Sequence, residues 1–221
     1  MVVSFENGIE VTVPTWVVDI HSFRKWRASD EFPEDGDICW LNGQVRIDMS
    51  KEQIFTHIDV KTEYCAVLRT LAKAEKKGLV LSDGLLLTNF AADFVCNPDL
   101  TFILTATRLS DRIRLIEGVE RGYVEIQGTP DMVLEIVSTG SVTKDTIALK
   151  QAYWEAGIPE YWLVDVRRDP IRFDIFKHGP KGYLAARKLK GWIRSDVFGK
   201  SFCLTKTEPF PDQPEFDLAV R

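Results

Sequence analysis

The sequence predicts an α/β (α+β) domain built on a mixed β-sheet. Three observations carry that prediction: short apolar runs bounded by turn residues, helical stretches lying between such runs, and hairpin signals near both ends. The 221 residues can enclose one sizeable core, so a single domain spanning 1–221 is expected. Hydrophobic residues make up 45% and charged residues 28%, a balance that places the chain among soluble globular proteins. No apolar run reaches the roughly 18 residues that a membrane span needs. The opening "MVVSFENGIEVTVP" has neither a basic start nor a long apolar stretch, so no signal peptide is expected. Cys39, Cys65, Cys96 and Cys203 lie far apart without a CxxC pair. Reduced thiols in a cytoplasmic protein fit that spacing better than a zinc site or a disulfide framework.

The elements follow in order. "ICWL" and "VRIDM" flank Asn42-Gly43, a two-residue hairpin signal. Ser50 and Gln53 form a capping-box pattern opening a helix to about Lys77, with Ile54, Ile58, Cys65, Leu68 and Ala72 as its apolar stripe and Gly78 as its stop. Strands are expected at about 79–88, 99–104 and 131–137. A second helix spans about 141–156 and stops at Gly157 and Pro159. "EYWLVDV" reads as a buried strand, and "IRFDIFKH" with "GYLAARKL" as a hairpin around "GPKG". The core is expected over 37–206, followed by an acidic tail at 207–221.

The net charge of −5 argues against a chain coated in phosphate-binding charge. Residues 166–206 nevertheless carry eleven Lys and Arg against three acids. Such a stretch is either a footprint for phosphate or a solvated face, and the sequence leaves both open.

Glu135 stands inside the apolar run Met132 to Val137, where an unpaired carboxylate would be costly. Asp99 opens the preceding strand after Pro98. Two carboxylates on neighbouring strands suit a hard divalent cation such as Mg²⁺, which takes few protein oxygens and keeps water or phosphate in its other positions. The competing reading is a Glu on the solvent face of a half-exposed strand.

"NPDLTFI", "GTPDMVLEIVS" and "KDTIALKQAYWEAGIPEYWLVDV" together resemble the Uma family of putative restriction endonucleases, within the PD-(D/E)XK nuclease superfamily. The likeness runs from the Asn42-Gly43 hairpin to about residue 204. It implies a restriction-endonuclease-like core, a mixed central sheet flanked by helices, with an N-terminal hairpin and a basic C-terminal one. It also implies that Asp99 and Glu135 hold Mg²⁺, or Mn²⁺ in its place, and that a lysine assists the attacking water. The sequence departs from the superfamily pattern at Val137, which stands where that lysine would share the strand face of Glu135. The resemblance implies a lysine moved to the following helix, Lys144 or Lys150. These point roughly 120° apart on a regular helix, and Lys144 is preferred because it starts nearer the strand end.

Other residues admit two readings each. Asp131 shares a strand face with Glu135 and is an outer-shell group or, preferably, a strand-opening turn residue. His57 is a packed helical histidine before it is a site residue. Tyr153, Trp154, Tyr161 and Trp162 suit the core better than base stacking. Arg167, Arg168, Arg172 and Lys177 are the candidates for holding a nucleic-acid backbone. The resulting expectation is a Mg²⁺-dependent endonuclease hydrolysing phosphodiester bonds, in DNA ahead of RNA, with a homodimer left open beside a monomer. The alternative is a catalytically inactive nuclease-fold module that binds nucleic acid or protein.

Overall fold

The computed structural model describes residues 2–4, 10–119 and 121–221. Its centre is a six-stranded mixed sheet in the order Gly182–Ala185, Arg172–Gly179, Glu160–Asp165, Met132–Ile136, Leu100–Leu104, Gly78–Ser82. Met132–Ile136 and Glu160–Asp165 run parallel, as their connection through a helix requires, and the other neighbours are antiparallel. A second six-stranded sheet runs Gln44–Asp48, Asp37–Leu41, Phe94–Cys96, Leu86–Asn89, Tyr123–Gly128, Ile113–Glu117. A four-stranded antiparallel sheet closes the C-terminus, and Val2–Ser4 pairs with Glu10–Thr12.

The alternation of side chains along Met132–Ile136 divides two cores. Met132, Leu134 and Ile136 face a core with Tyr64, Leu68 and Ala72 of the helix Val60–Ala74 and with Phe202, Phe216 and Leu218 of the C-terminal sheet. Val133 and Val137 face the other way, toward Leu149, Ala152 and Tyr153 and the second sheet's Cys39, Leu41, Phe94 and Cys96. Glu135 shares that second face. A third core seats Phe23 and Trp26 of the helix Ile20–Arg27 on Ile38, Trp40 and Val95. No helix among the described residues is long and apolar enough to cross a membrane.

Several elements form as the sequence predicts. Asn42 and Gly43, at φ 49° and 75°, make the turn between Asp37–Leu41 and Gln44–Asp48, because both central positions of that turn type need positive φ. "EYWLVD" is the buried strand Glu160–Asp165. Glu160 itself is buried and satisfied: Oε1 accepts from the amides of Asp196 (2.5 Å) and Val197 (3.2 Å), and Oε2 accepts from Trp162 Nε1 (2.9 Å) and Ser195 Oγ (2.6 Å). It thereby fastens the C-terminal sheet to the central one.

Other expectations need correction. The apolar stretch 79–88 is two strands in two sheets, because Asp83 and Gly84 break it with φ of 46° and 67°. No capping box forms at Ser50 and Gln53; Gln53 makes no side-chain cap, and the Ser50 amide donates to Asp48 Oδ1 at 2.9 Å. The helix opens instead with a π-helical turn, Ile54–Asp59, whose wider winding leaves Ile54 and Ile58 exposed and turns His57 and Lys61 inward. The second helix also begins as a π turn, Lys144–Leu149, and continues as Lys150–Glu155. The basic hairpin ends at Ala185, and Lys188–Leu189 joins the C-terminal sheet. Residues 207–221 are no loose tail: Gln213–Val220 pairs with Lys200–Phe210 and buries Phe216 and Leu218.

Glu160→Ala should lower stability by on the order of 3 kcal/mol, since several buried donors lose their acceptor together. Urea denaturation with an unchanged slope measures it, and an unshifted midpoint would refute the fastening role.

Candidate functional site

Asp99 sits where the chain enters Leu100–Leu104, a strand paired through Leu100 to Leu134. Continuing that register brings Asp99 beside Glu135, and Asp99 Oδ2 accepts the Ile136 amide at 2.7 Å. The carboxylate thus takes up the backbone donor at the end of the neighbouring strand. Both residues line one cavity of about 270 Å³, which opens between the two large sheets and the two π turns.

Glu135 is 3% exposed, and Tyr153 Oη donates to its Oε1 at 2.5 Å. Burial pushes this carboxyl well above the usual range, and the charges of Asp99 and Asp145 push it further; Lys144 and the tyrosine bond pull only partly back. Lys144 reaches the same cavity. Its Nζ bonds Asp37 Oδ2 and lies 3.5 Å from Asp145 Oδ1. Burial disfavours its charge, yet Asp37, Asp145 and Glu135 outweigh burial and hold the ammonium above its ordinary value. Asp145 is raised by burial to about 7 despite Lys144 and a bond from Ser141 Oγ. Tyr161 Oη, donating to the Asp145 carbonyl at 2.8 Å, fixes the turn that presents both residues.

The first π turn supplies the opposite wall. His57 lies between Glu52 and Asp99, with Nδ1 3.5 Å from Glu52 Oε1 and Nε2 3.6 Å from Asp99 Oδ2. Lys61, one turn later and 6% exposed, contacts Glu52 Oε1 (2.8 Å), Asp99 Oδ1 (3.1 Å) and Asp83 Oδ1 (3.1 Å). Burial opposes the Lys61 charge, but Asp99, Glu52 and Asp83 raise its ammonium above the ordinary lysine value.

The donor set fits a divalent cation. Seven carboxylates line the cavity (Asp37, Asp48, Glu52, Asp83, Asp99, Glu135 and Asp145) against the lysines Lys51 and Lys144. One ligand atom each from Glu52, His57 and Asp99 falls within 4.8 Å of the others. The His57 Nδ1 is buried without a hydrogen-bond partner, an orphan that a bound cation would account for.

Asp99, Glu135 and Lys144 therefore come together. Lys150 does not join them; its Nζ rests 3.6 Å from the centre of the Phe176 ring. Val137 is buried at 1% in the core with Leu149 and Tyr153. Asp131 serves the backbone: it accepts from the Leu104 amide at 2.7 Å and from Thr107 Oγ1 at 2.9 Å, and pairs with Arg112 at 3.2 Å. The four basic candidates do not line the cavity. Arg167 is bidentate on Asp165, Arg172 binds Asp174, Lys177 holds Asp196 at 2.6 Å, and Arg168 is exposed beside them. Tyr153, Tyr161 and Trp162 are core residues, and Trp154 is half-buried against His178. Sequence reasoning left out Glu52, Lys61, Asp83, Asp37 and Asp145 and ranked His57 as packing. The polar pair His57 and Lys61 at helical spacing was the available signal.

No curated protein matches the chain. Among solved structures, the fold is similar to that of a putative nuclease belonging to DUF820 from Anabaena variabilis ATCC 29413, with a TM-score of 0.61, over 82% of this chain and 91% of that one at 14% identity. The core is restriction-endonuclease-like. The Uma2 family model, described as putative restriction endonuclease, matches residues 20–204, and the chain belongs to that family.

Proposed function

We propose that this protein is a metal-dependent endonuclease that hydrolyses a phosphodiester bond in DNA, with Mg²⁺ as cofactor and Mn²⁺ able to replace it. The observation that carries the reading is the gathering of Asp99, Glu135 and Lys144 in one acidic cavity. Asp99 and Glu135 would hold the cation, with His57 and Glu52 beside Asp99 as further donors. When bound, the cation lowers the pKa of a coordinated water and neutralises phosphate charge. The excess of acidic over basic groups lining the cavity disfavours an unescorted phosphate, and a bound cation would offset it. Lys144, held in place by Asp37 and Asp145, presents a fixed positive charge to the phosphate as charge develops. Tyr153 orients Glu135 from the core side.

The second reading, a binding module without catalysis, is favoured by Val137 in the lysine position and by the engagement of the Lys144 ammonium with Asp37. Titration of Mg²⁺ or Mn²⁺ into protein and plasmid separates the two. Cleavage that appears with the ion and vanishes in Asp99→Asn and Glu135→Gln supports the nuclease; an inert wild type with either ion leaves only the module.

Lys144→Ala should cut the cleavage rate by at least ~100-fold. It should also cost about 2 kcal/mol of stability, because Asp37 and Asp145 are left facing a buried gap. Lys150→Ala should stay within about twofold of wild type, since only a cation–π contact is lost. Equal rates for the two variants would remove Lys144 from the site.

The raised Glu135 carboxyl sets a pH dependence with a definite sign. A group whose pKa is higher folded than unfolded contributes stability below its unfolded value, about 4.3 for glutamate, and that contribution is lost as pH rises through the folded value. In EDTA, Glu135→Gln should therefore gain melting temperature over wild type as pH goes from about 5 to 8. Saturating Mg²⁺ should reverse the order by stabilising only the wild type. A difference that stays flat with pH would contradict the burial argument.

A further inference from the structure

The cation reading leaves one buried charge without a role. The Lys61 side chain is 7% exposed and does not line the cavity. Its Nζ joins the side chains of three segments: Glu52 before the first π turn, Asp83 at the break between the two sheets, and Asp99 at the strand entrance. Both Asp83 oxygens are engaged, at 3.1 and 3.2 Å.

We propose that Lys61 is a positioning residue that takes the place of a second cation, so that the cavity binds one divalent ion per chain. The inference rests on the cation-binding reading above. Without an ammonium, Glu52, Asp83 and Asp99 would surround the vacated Nζ position with three carboxylates, the oxygen donors a hard divalent ion takes. Lys144 plays the matching part on the opposite wall, between Asp37 and Asp145. Glu135 lies between these two anchored groups and has no ammonium within ion-pair distance among the described residues. A carboxylate offers about four lone-pair sites. Asp99 spends one on Lys61 and one on the Ile136 amide, and keeps the rest for an ion shared with Glu135 or with His57, whose Nε2 faces Asp99 Oδ2 at 3.6 Å.

The test is a count of bound Mn²⁺ on the full chain by electron paramagnetic resonance of the free ion. Wild type and Lys61→Arg should bind about one ion, and Lys61→Met about two, because the neutral side chain vacates a three-carboxylate seat. Circular dichroism first confirms that the variants fold; if Lys61→Met does not, Lys61→Gln carries the same expectation. Two ions on the wild type, or one on a folded neutral variant, would overturn the role of Lys61 while leaving the cation site standing. A wild type that binds none would overturn the cation reading itself.

Discussion

A carboxyl group buried in an apolar strand face is the constraint around which this protein is arranged. Glu135 is surrounded by Val133, Val137, Tyr153 and Tyr161, residues that cannot neutralise it. Left alone, such a group would protonate rather than stay charged in a medium of low dielectric. One phenol and a more distant lysine offset part of the cost. The remainder is not offset by any ion pair to Glu135 among the described residues.

Asp99 links that electrostatic arrangement to the fold. One of its oxygens closes the backbone of the Glu135 strand, and the other meets the buried ammonium of Lys61. The residue that could hold an ion is thus also the residue that fixes strand register, so cavity geometry and sheet geometry cannot vary independently. Glu160 does comparable work at the far end of the adjacent strand, 1% exposed and outside the acidic cavity. The contrast is instructive. Two buried glutamates on neighbouring strands differ in that Glu160 receives four donors, whereas Glu135 receives one. A saturated carboxylate is structural; an unsaturated one is available for chemistry.

What the sequence disclosed and what it hid follow from range. Asn42-Gly43, the apolar run through Glu135 and the "EYWLVD" strand are local signals, and each formed where expected. The PD and Glu positions were legible because the family pattern quotes them. Only the first turn of the helix was misread, because an α-helical period was laid over a π turn, which moves the inward side there from Ile54 and Ile58 to His57 and Lys61, while Leu68 and Ala72 are buried as expected. The strands Phe94–Cys96 and Ile113–Glu117 are short or half-polar and draw their order from partners far along the chain. Carboxylates such as Asp37 and Asp83 look like ordinary turn and strand-end residues until the two sheets bring them together.

The same geometry separates residue 137 from Lys144. Residue 137 lies beyond the end of Met132–Ile136, and its side chain is enclosed by the core around Leu149 and Tyr153. An ammonium there would be buried without a carboxylate designed to receive it. A π turn solves the placement differently. Its wider winding sets Lys144 and Asp145, adjacent in sequence, on the same cavity, and the Tyr161 hydroxyl holds the Asp145 carbonyl in that conformation. Lys150, where the helix becomes regular, is carried away onto Phe176. Lys144 therefore reaches the cavity through the local helix geometry, and Val137 serves packing.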